Sequence, residues 1–240
     1  MSSISGIFQL DGTPSLAGRT FAHAETGCVI AADARIDYRD SADESHSDAE
    51  LILNAYLQRG ETCLDSLLGD FAFAIWDPRE KKLFCARDHF GMRPFYYHHS
   101  PGERFVFASD TREIFKVPEV PYAINKGRVA DFLVPQLEWI DYTSTFFEGV
   151  FRLPPGHKLV LTPDNFEVSE YWTPAPGPEL PKMSNAEYME GFLDVFTKAV
   201  DQRLRRPRGK VGSMLSGGMD SGSVAAVANE LLNTSGDVPL

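Results

Sequence analysis

The chain has 240 residues, 43% of them hydrophobic, which is enough for one large packed domain or two modest ones. Its 23 Lys and Arg stand against 34 Asp and Glu, and the net charge of −11 disfavours non-specific nucleic-acid binding, leaving any phosphate recognition to a local feature. The 3 cysteines lack C-x-x-C spacing, which argues against a zinc site or a disulfide framework, and no apolar run reaches bilayer length, so a soluble cytoplasmic protein with free thiols is expected.

Ile4 to Leu10 alternates and runs into Asp11-Gly12, which reads as a strand entering a hairpin, and Cys28 to Ala32 reads as a second strand. Ser47-Asp48-Ala49-Glu50 is a capping box, so a helix is expected from there to about Gln58, stopped by Gly60. Phe71, Phe73 and Ile75 then share one face of a strand and Ala72, Ala74 and Trp76 the other. Two apolar faces place that strand between layers. Strands at Lys82–Arg87, Phe95–His99 and Arg104–Ala108 follow with turns between them, and the succession reads as an antiparallel meander. Short helical patterns lie near Thr111–Phe115 and Lys126–Val134, and Leu153-Pro154-Pro155-Gly156 forces a turn before a strand at His157–Leu161.

Thr173 to Pro181 is rich in proline, which predicts an extended linker over 173–183. Beyond it, Ser184-Asn185-Ala186-Glu187 is a second capping box, and Tyr188, Phe192, Val195, Phe196, Ala199, Val200 and Leu204 recur at helical spacing as a docking face. Arg203, Arg205, Arg206 and Arg208 suit the negative end of that helix dipole. His89, His98 and His99 have no metal-spaced partner and read as solvated or hydrogen-bonded side chains.

Val211 to Leu215 reads as a strand, Ser216-Gly217-Gly218-Met219-Asp220-Ser221 as a loop and Ser223 to Leu232 as a helix. Two glycines let backbone N–H groups close around phosphate oxygens, the helix N-terminus adds its positive dipole, and the hydroxyls of Ser216 and Ser221 can donate as well. Asp220 is the candidate magnesium ligand. The loop lacks the lysine of a G-x-x-x-x-G-K-[ST] motif, which excludes an ordinary kinase or GTPase phosphate loop.

This loop resembles the SGGxDS loop of the ATP pyrophosphatases. Further stretches resemble the asparagine synthetase family: Gly69-Asp70-Phe71-Ala72-Phe73-Ala74-Ile75-Trp76-Asp77, then Ala86-Arg87-Asp88-His89-Phe90-Gly91-Met92-Arg93-Pro94, then Phe107-Ala108-Ser109 and Leu153-Pro154-Pro155-Gly156-His157. The resemblance implies an α+β N-terminal-nucleophile-hydrolase-like αββα sandwich over 1–172, of the class II glutamine amidotransferase type. A linker over 173–183 would lead to the start of an α/β PP-loop synthetase domain over 184–240. It implies ATP and Mg2+ as cofactors, held by Leu215, Ser216, Gly217, Gly218, Asp220 and Ser221, with Asp220 on the magnesium. On that pattern a carboxylate is activated with release of pyrophosphate and captured by an amine.

Glutamine-dependent members carry a nucleophilic cysteine at the position of Ser2. Their H-R-G-P-D and R-L-S stretches have no counterpart in Thr13 to Gly27, and their N-G-E-I-Y-N becomes Asp33-Ala34-Arg35-Ile36-Asp37-Tyr38. The resemblance therefore implies a catalytically inactive glutaminase, as in β-lactam synthetases and lasso-peptide macrocyclases. Of these, the segment Gln136 to Phe147 leans toward the macrocyclases. The expected substrate, small molecule or peptide, carries both a carboxylate and an amine, with a precursor peptide and a leader-processing protein as partners and no nucleic acid or membrane. Asparagine synthesis from ammonia or glutamine and a non-catalytic binding module remain alternatives. The 240 residues are expected to be a fragment without complete synthetase activity.

Overall fold

The computed structural model describes residues 3–9, 15–18, 20–37, 46–137, 140–204 and 211–235. The chain divides into two compact units, Met1–Pro174 and Ala175–Leu240.

The first unit is built around the strand whose two faces are apolar. Strands β1 (Ser5–Gln9), β2 (Ser15–Ala17), β7 (Tyr96–Ser100), β8 (Arg104–Ala108) and β9 (Val150–Arg152) form one antiparallel sheet in the order β2-β1-β8-β7-β9. The second sheet has the order β11-β10-β6-β5-β4-β3, from β3 (Thr20–Ala22), β4 (Val29–Ile36), β5 (Gly69–Asp77), β6 (Lys82–Arg87), β10 (His157–Leu161) and β11 (Phe166–Glu170). Phe71, Phe73 and Ile75 of β5 pack with Ile52, Leu53 and Tyr56 of helix α1 (Asp48–Arg59) on the outer face of this second sheet. Ala72, Ala74 and Trp76 turn inward and pack with Phe8, Phe95, Phe105 and Phe107 from the first sheet. Alanines on one sheet leave room for phenylalanines on the other, so the two inner faces interdigitate. Phe95 and Phe107 stack there at 5.3 Å. A third cluster, with Val106, Ile114, Val117, Val120 and Val150, lies on the outer face of the first sheet beside α2 (Thr111–Ile114), and α3 (Lys126–Leu133) follows in the chain. The order is helix, sheet, sheet, helix, as the αββα expectation requires.

Local signals act as read. The Ser47 hydroxyl accepts from the Glu50 N–H at 3.3 Å while the Glu50 carboxylate accepts from the Ser47 N–H at 2.7 Å, and α1 ends at Gly60. Cys28, Cys63 and Cys85 are free and buried. Burial pushes the Cys63 thiol up to about 12.

The meander expectation needs correction. β5 pairs with β6 in one sheet and β7 with β8 in the other, so residues 88–95 carry the chain across the sandwich. The crossing is possible because its backbone is satisfied by the two residues that begin it. The Arg87 guanidinium donates to the carbonyls of Gly91, Arg93 and Leu153 at 2.7, 2.7 and 2.8 Å. The Asp88 carboxylate accepts backbone N–H groups from Phe71, Phe90, Met92 and Arg93 at 2.9–3.2 Å. A turn with its polar groups paired this way has no need of a ladder partner in the sheet it leaves.

The second unit contains helices α4 (Asn185–Leu204) and α5 (Met219–Ser235), which touch each other. Among its described residues Val200, Ala228 and Leu232 are buried. The docking face expected on α4 is largely in the open, with Phe192 69% and Val195 66% exposed. Phe192 stacks on Phe196 at 5.8 Å. The strand expected at Val211–Leu215 is a second correction. These residues form no strand, and Met214 is 94% exposed. A buried strand exists only through its neighbours in a sheet, and the described residues of this unit supply none. Arg205, Arg206 and Arg208 lie outside the described residues, as do Ser2, Tyr38, Glu138 and Trp139.

Candidate functional site

Two regions carry the residues singled out from the sequence. In the first unit, β4 alternates between the helix side, where Ile30, Ala32, Ala34 and Ile36 join the α1 core, and the inter-sheet side. Asp33 on that inner side is 3% exposed, and Arg93 Nη1 approaches its Oδ1 at 3.8 Å. Arg35 Nε stands 3.1 Å from Asp37 Oδ1, and Arg35 lies opposite the buried Asp70 across the β4–β5 ladder. Residues Asp33 to Asp37 thus carry opposed charges, of which Asp33 is buried. The Asp33 carboxylate only accepts hydrogen bonds, whereas an oxyanion hole needs donors. The link of Arg93 to Asp33 joins two segments that are 60 positions apart and is not readable from either alone.

In the second unit the loop before α5 is held by its serines. The Ser216 and Ser221 hydroxyl oxygens are 3.0 Å apart, the Ser216 N–H donates to Ser221 Oγ at 3.2 Å, and the Gly218 N–H donates to Ser216 Oγ at 3.4 Å. Gly217 takes φ +81°, and a Cβ there would meet nothing within 4 Å, so the space beside Gly217 is open. Asp220 occupies the first turn of the 17-residue helix α5, beside the positive end of its dipole. Leu215, at the entry, is 67% exposed. Open space over a left-handed glycine, paired hydroxyls and a helix N-terminus suit a polyphosphate, and an exposed carboxylate suits its magnesium ion.

A model of the glutamine amidotransferase domain matches residues 31–172, more than half of the chain, and a model of asparagine synthase matches residues 191–237. The chain belongs to the asparagine synthetase family. Among curated relatives, asparagine synthetase [glutamine-hydrolyzing] 3 of Bacillus subtilis is 29% identical over 204 residues, which is 82% of this chain and 31% of that protein. Amidase chry2 of Gibberella zeae is 30% identical over 193 residues, 78% of this chain and 27% of that one. The chain therefore spans about a third of the length of the curated relatives that it matches. Among solved structures, the glutamine phosphoribosylpyrophosphate amidotransferase of B. subtilis matches at TM-score 0.44 and 13% identity, over 72% of this chain and 44% of that one.

Among the described residues no helix is long and apolar enough to cross a membrane.

Proposed function

We propose that this chain serves an ATP-dependent, AMP-forming carbon–nitrogen ligase of the asparagine synthetase family, in which a carboxylate and an amine of one substrate are joined as a macrolactam. The observation that carries the ligase reading is the loop Ser216–Ser221, open beside Gly217 and set on the N-terminus of α5. ATP, when bound, supplies the activating AMP group and the driving force of pyrophosphate release. In this reading the Ser216 and Ser221 hydroxyls and the Gly217 and Gly218 N–H groups hold its phosphates, and Asp220 holds the magnesium. Leu215 sets the entry of the loop.

The amine is assigned to the substrate itself because the amidotransferase domain offers buried Asp33 against Arg93 where the family places glutamine-binding and oxyanion-stabilising donors. The domain then acts as a scaffold, with Ser2 at the position of the lost nucleophile. A precursor peptide and a leader-processing protein are the partners of that reading, and the cytoplasm its compartment. A second reading is asparagine synthesis from aspartate with ammonia or glutamine, favoured by the names of relatives such as the B. subtilis protein.

The test is pyrophosphate release by the full-length gene product with Mg-ATP and one of three substrate sets: a linear precursor peptide, aspartate with ammonium, or aspartate with glutamine. Turnover with peptide alone, and a peptide product lighter by one water, is the expected result. Turnover with aspartate and ammonium rejects the macrolactam and keeps the ligase. Silence with all three rejects both.

A further inference from the structure

A cleft of about 820 Å³ opens on the amidotransferase-like unit, bordered by His89, Phe90, Asp141, Tyr142, Glu170 and Trp172. Its volume falls in the range of small-molecule sites, about 300–1,000 Å³. The elements that build it are those already described. Gly91 and Arg93, bonded by Arg87, hold the crossing loop that carries His89 and Phe90, and the β10–β11 ladder sets His157 directly opposite Glu170 at its rim.

Aromatic rings form one wall. Trp172 meets His89 at 5.0 Å and Phe90 at 5.3 Å, both edge to face, and His89 meets Tyr171 at 5.6 Å in the same manner. Phe90 is 72% exposed and Tyr142 55%, so these rings are open to a ligand rather than closed into the core. Two carboxylates supply charge on the border. Burial works against the ionised form of Asp141, but hydrogen bonds from Ser144 and Thr143 outweigh it and hold the carboxyl well below the usual range. Glu170 stands exposed at the end of β11. Among the described residues neither lysine nor arginine lines the cleft. Burial pushes the His89 imidazole below the ordinary histidine range, so the ring is neutral at pH 7 and opposes no cation.

We propose that this cleft binds an organic cation, an alkylammonium or guanidinium group, between the rings of Phe90 and Trp172 and the carboxylates of Asp141 and Glu170. Aromatic faces attract a cation through their quadrupole, and paired carboxylates add a field that an anionic or neutral ligand does not gain from. A basic amino-acid side chain in a peptide and a free amine or guanidine share the recognised group. The site does not depend on the ligase reading, since none of its residues lies in the nucleotide loop.

Calorimetric titration of the full chain with butylguanidinium, butyltrimethylammonium and the neutral isostere butylurea tests this. Saturable 1:1 binding of both cations is expected, with butylurea weaker by about tenfold or more. Glu170→Gln and Trp172→Leu should each weaken the cations by about fivefold, and Glu170→Gln should leave butylurea binding and the melting temperature unchanged. Because Glu170 is on the surface, its variant reports even where the tryptophan variant folds poorly. Competition by a blocked Gly-Arg-Gly peptide supports the site with a peptide side chain as its natural occupant. Cation binding without such competition supports it with a free amine. Equal binding of butylurea, no saturable binding of either cation, or parent-like affinity in Glu170→Gln overturns the proposal.

Discussion

The Asp88 carboxylate accepts the backbone N–H of Phe71 at 3.2 Å, tying the end of β6 to the first turn of side chains on β5. The same carboxylate also holds Phe90, Met92 and Arg93, so one side chain satisfies the loop that passes between the sheets. Asp88 is 1% exposed. In Asp88→Ala the Phe71 N–H stays buried without an acceptor and the part-buried N–H groups of Phe90, Met92 and Arg93 lose theirs, so the expected loss is about 3 kcal/mol in urea unfolding. Asp88→Asn retains one carbonyl oxygen and should lose about half as much. A loss below about 1 kcal/mol in the alanine variant would mean the crossing loop is held by its apolar contacts instead.

Asp77, at the end of β5, accepts from Arg79 Nη2 at 2.6 Å and from the Tyr56 hydroxyl at 3.2 Å. The Arg79 guanidinium holds its carboxyl down to about 2, against burial. A carboxyl depressed in the folded state adds stability that is full above its unfolded value near 4 and disappears as pH falls through about 2. Asp77 is fully buried, so the contribution is worth about 2 kcal/mol at neutral pH. Thermal melts of the parent and Asp77→Asn from pH 6 to pH 2 should converge as the acid limb is crossed. Parallel curves would assign the acid sensitivity to other carboxylates.

Gly69 begins β5 at φ +145°, and a Cβ there would stand 2.1 Å from the Arg35 carbonyl oxygen on β4. Backbone cannot yield as a flexible side-chain tip can, so the two central strands must separate at this end. Gly69→Ala should cost about 2–4 kcal/mol, read as a shift in the urea midpoint at constant slope.

The sandwich was legible in the sequence because its signals are local. The Ser47–Glu50 box and the two apolar faces of β5 each fix an element from a few neighbouring residues, and they led to the helix and the central strand observed. What was not legible depends on distant partners. No pattern within Lys82–Ala108 says that β6 and β7 belong to different sheets, since the Arg87 and Asp88 bonds that permit the crossing reach Leu153 and Phe71. The same holds for Asp33 against Arg93, and for His89, which reads as an ordinary loop histidine until Trp172 is brought to 5.0 Å. Val211–Leu215 shows the converse, a strand pattern for which the described residues of its unit provide no neighbouring strand.

Asp220 separates the nucleotide reading of the Ser216–Ser221 loop from a merely structural one. Its carboxylate is exposed on the first turn of α5, where it favours the helix dipole by about 0.3–1 kcal/mol. Asp220→Asn should therefore change folding stability by no more than about that amount. If the carboxylate holds magnesium on bound ATP, the same change removes a charged ligand and should lower pyrophosphate release by the full-length protein about 100-fold, with partial recovery at raised magnesium. Gly217→Ala should act through shape. Its φ of +81° costs an alanine about 1 kcal/mol, and the new methyl would fill the open side of the loop that phosphate is proposed to occupy. Raised magnesium should leave that defect unchanged, because no metal ligand has been lost. Parent-like pyrophosphate release in Asp220→Asn would remove this residue from the metal site, and parent-like release in both variants would leave the loop a tight turn without a role in ATP binding.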